Sequence, residues 1–304
     1  MAEVALGTGG APARPRRRHV GWVPYALLAP GLLWLLVFFA APMFTLGSQS
    51  LQEGNVFDGY VFTGNVSVYA DALQKYWPHL LRSVGYAGAA TVFALLLAYP
   101  LAYVIAQKAG RFQNLMLVLV VAPFFTSFLI RTLAWRTILS DTGPVTELAQ
   151  RLHITDLLQA ANLINNDTLL SSKFAVIAGL TYNFLPFMIL PLYASLDRLD
   201  HRLVEAAEDL YASPFQAFRH VTWPMSLPGV VAGTLLTFIP AAGDYINSRL
   251  LGNTQTIMIG QVIDTQFLRV LDYPLAAALS FVLLLLILAL VTTYVRRAGT
   301  EELV

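Results

Sequence analysis

The sequence predicts an all-α, polytopic membrane protein with six transmembrane helices, and three observations carry that reading. Hydrophobic residues make up 57% of the 304 and charged residues only 12%, with a mean hydropathy of +0.61. A chain this apolar exceeds what one soluble core requires, so the bilayer is its solvent. Six stretches free of Asp, Glu, Lys and Arg, at 22–46, 83–107, 112–130, 174–196, 225–243 and 273–295, can each cross roughly 30 Å of hydrocarbon. The charges are also segregated: eight of the 37 fall in residues 197–224, while 174–196 and 221–243 carry none.

The first stretch follows Arg14, Arg16, Arg17 and Arg18, as a signal peptide would. Its apolar run is well beyond the roughly 7–15 residues of a signal h-region, so an uncleaved helix is expected. Residues 1–15, rich in Gly, Ala and Pro, read as disordered. That makes 1–20 a basic tail, 21–297 a single membrane domain and 298–304 a second tail. Lys108 and Arg111 lie in the tight turn after the second span, Arg198, Arg202 and Arg219 after the fourth, and Arg296 and Arg297 after the sixth. Positive residues are retained inside, so both termini and residues 197–224 are expected in the cytoplasm; Arg131 and Arg136, at the outer end of the third span, run against the count.

Of the outer connections, 47–79 is long and turn-rich (Gly47, Gly54, Asn55, Gly59, Gly64, Asn65), and 136–173 holds helix-like pieces around 147–152 and 155–163. A short segment, 256–268, joins the last two spans and is expected to lie on the surface as a helix. Pro100, Pro123, Pro186, Pro191, Pro228 and Pro240 fall in the spans, where each removes a backbone donor and can kink its helix. Such breaks suit a transport path, and equally the general abundance of proline in membrane helices. With no cysteine, disulfides and thiolate chemistry are excluded.

Residues 197–224 read as a helical hairpin. Leu199, Leu203, Ala206 or Ala207, and Leu210 fall on one helical face, with Asp200 as N-cap. Ser213, Pro214 and Gln216 form a capping box that starts a second helix, with Phe215, Phe218 and Val221 or Thr222 at helical spacing. Pro224 is expected to end the pair on the inner membrane face.

Glu205-Ala206-Ala207, Asp209-Leu210, Ala212-Ser213, Phe218 and Pro224, with Pro228-Gly229 beyond, closely resemble the EAA loop of ABC importer permeases. The resemblance implies a type I ABC importer permease fold, in a bacterial inner membrane, whose loop docks in a cleft of a cytoplasmic ATPase. Carried over, the coupling residues are Glu205, Ala206, Ala207, Asp209, Tyr211, Ser213, Phe218 and Pro224. Small residues at 206 and 207 permit close docking, Glu205 offers a carboxylate, and Phe215 and Phe218 can anchor the pair to the body. The alternative is a solvated helix face. The family usually has Gly where Tyr211 stands, so either the turn is made differently or the ring contributes to the ATPase contact; a non-Gly residue in a left-handed turn costs roughly 1–2 kcal/mol.

The segments Pro123-Phe124-Phe125-Thr126 with Ile130-Arg131, Asn183-Phe184-Leu185-Pro186-Phe187-Met188, Pro191-Leu192-Tyr193, Pro240-Ala241-Ala242-Gly243-Asp244-Tyr245 and Leu250-Leu251-Gly252 look like bacterial spermidine/putrescine permease subunits. Less complete versions occur in permeases for iron, phosphonates and opines. The resemblance implies as partners an ABC ATPase dimer using ATP and Mg, a second permease chain and an extracytoplasmic solute-binding protein. Beyond these, membrane lipid is the only expected contact, with no cofactor or metal held by this chain and no nucleic acid.

Candidate path residues are Tyr182, Asn183, Thr237, Asp244 and Tyr245. Asn183 falls about 14 Å into the fourth span at 1.5 Å per residue, a depth where polar groups often line a cavity. Thr234 and Thr237 could do likewise, or simply bond their own helix carbonyls. Asp244 and Tyr245 offer the charge and aromatic face an alkylammonium wants; an interfacial carboxylate paired with an outer Arg is the alternative. Arg131 and Arg136 would repel a cation, and contact with acidic residues of the binding protein or a structural pair explains them better. No Walker, HExxH, CxxC or GxSxG motif occurs, so the chain is not expected to hydrolyse ATP by itself. An ion-driven transporter would call for inverted repeats and midplane carboxylates, which are not evident; a scaffold would leave the paired helices unexplained.

Overall fold

The computed structural model describes residues 23–164 and 168–298, so the tails expected at 1–20 and 298–304 lie outside the described residues, apart from the backbone of Ala298. Among the described residues, five helices are long and apolar enough to cross a membrane, and a sixth span exists if one bent pair is counted as one.

The chain divides into two units, 1–46 and 47–304. The first holds α1 (Val23–Leu35), a π-helical turn at Leu36–Ala40 and most of α2 (Ala41–Gln49). Apolar residues occur all round this helix, as lipid surroundings demand.

The second unit opens with an antiparallel hairpin of β1 (Gln52–Asn55) and β2 (Gly59–Phe62). Its turn is fixed by the Asn55 side-chain oxygen, which accepts from the N–H groups of Phe57 and Asp58. Then α3 (Ser67–Gln107) runs for 41 residues, which corrects the loop expected over 47–79. Asp71, Lys75 and Arg82 interrupt the apolar run without interrupting the helix. Ala72, Tyr76 and Leu80 recur on one face of it and pack against Ile259, Leu279 and Leu283. Further along, Ala87, Ala90, Ala94, Ala98 and Ala102 expose no surface. Helices in lipid gain little from hydrophobic burial, so small residues that let backbones approach are what pack them.

The third span departs most from expectation. A 3-10 turn at Gly110–Phe112 leads into α4 (Gln113–Val121) and a second one at Ala122–Phe125. There the chain bends by 93° into α5 (Phe128–Ile138). Thr126 and Ser127 are extended, with ψ of 147° and 135°, and Pro123 just before them withholds a helix donor. The other five span prolines sit inside uninterrupted helices, so proline alone does not break them. Arg131 and Arg136 therefore lie within α5, not at the end of a straight span.

The helix-like pieces of the next connection are α6 (Pro144–Arg151) and α7 (Ile154–Ala160). Ser172 caps the start of α8 (Lys173–Asp197), accepting from the Ala175 N–H. After α8 come α9 (His201–Asp209), α10 (Pro214–Ala217), a π-helical turn at Phe218–Thr222 and α11 (Trp223–Ala242). Gly229 and Gly233 set α11 directly on α8: a Cβ at 229 would lie 2.6 Å from the Ser195 Cβ, and one at 233 would lie 2.8 Å from the Met188 sulfur.

Beyond α11 the chain forms α12 (Ile246–Leu251), where the sequence suggested only a connection, and α13 (Ile259–Thr265). With Ile259, Gly260 and Val262 buried, α13 packs into the body; the surface helix expected over 256–268 is corrected accordingly. A π-helical turn at Gln266–Val270 precedes α14 (Tyr273–Ala298).

Candidate functional site

Two regions hold the residues singled out above. The first is the hairpin of α9 and α10. Asp200 caps α9 as expected, its Oδ1 accepting from the Arg202 N–H at 3.0 Å. The capping box is complete: the Gln216 N–H donates to Ser213 Oγ, and the Ser213 N–H donates to Gln216 Oε1 at 2.8 Å. Ser213 thus spends its hydroxyl on holding the second helix in place.

Between the helices Tyr211 adopts a left-handed conformation, φ 63°. The Ala212 N–H bonds the Ala207 carbonyl and the Tyr211 N–H bonds that of Glu208, which is the Schellman closure of a helix C-terminus. The turn is therefore made as a glycine would make it, while the Tyr211 ring is 97% exposed.

Glu205, Ala206, Asp209, Leu210, Tyr211 and Phe215 are all exposed, and none of the eight hairpin charges has an ion pair among the described residues. Two expectations are corrected here. Leu203 and Leu210 do not share a buried face with Leu199, because Asp200 interrupts the register; Val204 and Ala207 are the half-buried positions of α9. Phe215 does not anchor the pair either, being 70% exposed. Phe218 does, edge-on to Tyr99 and Tyr103 at 5.8 and 6.4 Å.

Pro224 does not end the hairpin. Helix runs on from Pro214 to Ala242, because the π-helical turn before it reroutes the bonding where proline's donor is missing.

The second region is a buried polar cluster where α5, α8 and α12 meet. Asn183 Nδ2 donates to Thr132 Oγ1 at 3.2 Å and to Asn247 Oδ1 at 3.1 Å. Asp244, 8% exposed, accepts the Asn247 N–H at 2.7 Å and so stands at the head of α12. The Ser248 hydroxyl donates to Gln261 Oε1 at 2.8 Å and accepts from the Met258 N–H. Gly179 makes the meeting of α8 and α12 possible, since a Cβ there would collide with Leu251 and Asn247; one at Gly260 would overlap the Gly243 carbonyl beside Asp244.

Asn183 Oδ1 and Asn247 Nδ2 in the cluster, and Thr237 Oγ1 on α11, are buried with no hydrogen-bond partner among the described residues. For Thr237 that sets aside the self-capping alternative. Asp244 has no Arg partner among the described residues, which sets aside the interfacial pair. Asp244 lies two residues beyond the last span residue, Ala242, and burial pushes its carboxyl up to about 6, against the pull of the Asn247 N–H.

Tyr182 is not part of this cluster. It packs on Trp135, ring centroids 5.4 Å apart, and lines two cavities of about 440 and 330 Å³ whose walls are almost wholly apolar. Tyr245 is 40% exposed. The Arg131 guanidinium lies over the rings of Phe124 and Phe128, 5.6 and 5.7 Å from their centroids, a cation–π arrangement. Asn247 and Thr132 escaped sequence reading. The signal was Asp244-x-x-Asn247, an N-cap spacing hidden in what read as a connection.

Helices of this number and order, with one charged hairpin ahead of the last two long helices, define the permease chain of an ABC importer. Two solved structures share the fold. One, at 17% identity and a TM-score of 0.62 over 91% of this chain and 95% of its own, is a bacterial ABC transporter involved in import of the acidic polysaccharide alginate. The other, with a TM-score of 0.64 over 92% and 95%, is the alginate transporter with its oligosaccharide-bound periplasmic protein.

The chain belongs to the family of binding-protein-dependent transport system inner membrane components, whose model matches residues 21–298. Among its relatives, the spermidine/putrescine transport system permease protein PotB of Haemophilus influenzae is 34% identical over 276 residues, 90% of each chain. PotB of Escherichia coli K12 is 36% identical over 266, covering 86% of this chain and 93% of its own. The inner membrane ABC transporter permease protein YdcU of E. coli is 30% identical over 287, covering 91% and 90%.

Proposed function

We propose that this chain conducts a polyamine, spermidine or putrescine, across a bacterial inner membrane as one of two permease chains. Residues 197–224 face the cytoplasm and dock on an ATPase dimer that uses ATP and Mg; an extracytoplasmic binding protein delivers the solute. The observation that carries the reading is the hairpin itself. It is rigidly capped at both helix starts, yet its acidic and apolar side chains at 205, 209, 210, 211 and 215 are exposed without partners among the described residues. A structure that fixes such a surface and leaves it uncovered supports docking over solvation.

For the solute, the relatives named for spermidine/putrescine transport support a cation, and Asp244 supplies a carboxylate for it. Asn183 and Thr237 add acceptor atoms without present partners, suited to an ammonium group that sheds water on the way. Tyr245 offers an exposed ring near Asp244, whereas Tyr182 serves the apolar wall. Arg131, held over the rings of Phe124 and Phe128, fits the structural alternative better than a contact with the binding protein.

The test is reconstitution. The purified chain with its genomic partners is expected to carry an ATPase and to take up labelled spermidine or putrescine with vanadate sensitivity. Uptake of ferric iron instead would move the substrate, and uptake abolished by a protonophore with ATP intact would overturn the ATP-driven reading.

A further inference from the structure

The root of the hairpin is tied to the third span by a polar knot. α8 ends at Asp197, the first residue of the hairpin, and three side-chain bonds converge there from the turn between the second and third spans. Gln107, the last residue of α3, donates from Nε2 to the Leu196 carbonyl at 2.7 Å, satisfying an acceptor that the helix end leaves free. Gln113, the first residue of α4, donates from Nε2 to the Tyr193 hydroxyl at 2.6 Å and to Asp197 Oδ1 at 2.7 Å. One amide nitrogen carries two protons, and both are used; the bond to the carboxylate is charge-assisted and directional.

Elsewhere on α4, Val120 packs against the apolar cluster that includes Met188, Ile189 and Leu192 of α8. No residue of α4 is buried, so the helix is not locked to α8 by close packing as α11 is through Gly229 and Gly233. The far arm of the hairpin is held differently, by the rings of Phe218, Tyr99 and Tyr103. Beyond α4 lies the 93° break and then α5, whose Thr132 is bonded to Asn183. Asn183 and Asp197 both lie on α8, so the broken span is bonded to that helix at two points, through Gln113 at the hairpin root and through Thr132 at the buried cluster.

We propose that Gln113 is a positioning residue for transport: it ties α4 to the hairpin root at Asp197, so that a displacement of the hairpin root carries the broken span along with α8. The proposal rests on the ATPase-docking reading of the hairpin.

The test is a charge swap in the assembled complex. Gln113→Glu sets a second carboxylate against Asp197. The expected result is an ATPase that stays bound and active while solute transported per ATP falls about five-fold, the weight of one hydrogen bond. In Gln113→Glu with Asp197→Asn the polarity of the bond is reversed and the bond restored, and the ratio is expected to return to within about two-fold of wild type. A wild-type ratio in the single variant, or a double variant as impaired as the single, overturns the proposal. Absence of ATPase from the wild-type complex would instead sink the docking reading, independently of Gln113.

Discussion

The hairpin and the buried polar cluster are built on opposite principles. The hairpin is local: caps at Asp200 and Ser213 and the closure at Tyr211 use bonds spanning no more than five residues, and its acidic and apolar side chains at 205, 209, 210, 211 and 215 are turned outward. The cluster is assembled from afar, with Thr132, Asn183 and Asn247 separated by 51 and 64 positions, and nearly all of it is buried. A capped, exposed hairpin can be specified in one stretch of sequence; a buried cluster is specified by packing. Variants in the two regions should therefore fail differently.

The largest effect is expected from Glu205→Lys. The side chain is exposed and has no ion pair among the described residues, so its replacement is expected to leave the permease folded and in the membrane. Reversing its charge on the docking face should release or uncouple the ATPase and lower uptake by more than about ten-fold, as like charges at an interface do. Membrane abundance, ATPase co-purification and uptake check this together; normal binding and uptake would remove Glu205 from the interface and erase the contrast.

Gly260→Ala tests the cluster from the packing side. The added methyl overlaps the Gly243 carbonyl, which is backbone and cannot swing away, so α13 must separate from the turn that carries Asp244. Overpacking of this kind costs about 1–3 kcal/mol, read as a lower unfolding midpoint in detergent together with reduced uptake, while ATPase binding persists. Stability and ATPase binding should thus respond oppositely in the two regions.

How legible each region was follows from the same distinction. The starts of the hairpin's two helices and both caps could be read directly, because side chain and backbone partners sit two or three residues apart. The alanine face of α3 and the Gly229 and Gly233 spacing were present in the sequence too, but small residues acquire meaning only against a neighbouring helix. The extension of α3 through Asp71, Lys75 and Arg82 was missed because charge marks where a span ends, not where a helix ends. The bend after Pro123 could not be told from five other prolines that leave their helices whole. α12 was hidden because six polar and apolar residues after a glycine resemble a loop until Gly179 is found opposite.

Asp244→Asn is a gentler probe of the interior. Oxygen at the same place can still cap α12, so assembly is expected to hold while the KM for a polyamine rises about five-fold with the loss of one charged contact. The wild-type carboxyl, raised to about 6, is neutral below that pH and ionised above it, whereas the amines of the solute stay charged throughout, with ordinary values near those of lysine. Wild-type uptake should therefore fall as pH drops through about 6, and the variant should lack that step. An unchanged KM with the step retained would take Asp244 out of the path.

The smallest effect is at Tyr211, a non-glycine residue in a left-handed turn. The turn keeps the left-handed geometry despite the side chain, so the roughly 1–2 kcal/mol of strain is present, and a ring that is almost wholly exposed returns nothing to the isolated chain. Gly is an ambiguous replacement, since the flexibility it adds to the unfolded chain offsets part of the relief. Asn tolerates the left-handed conformation without that cost, so Tyr211→Asn should stabilise the closure by up to about 1 kcal/mol. Slower hydrogen exchange at the Ala212 N–H, which reports the bond to Ala207, would register it. If the ring contacts the ATPase, the same variant should bind that partner more weakly even as its own turn is firmer. A firmer turn with unaltered ATPase affinity would make Tyr211 a tolerated strain and nothing more, leaving Glu205 and its acidic neighbours to carry the docking face.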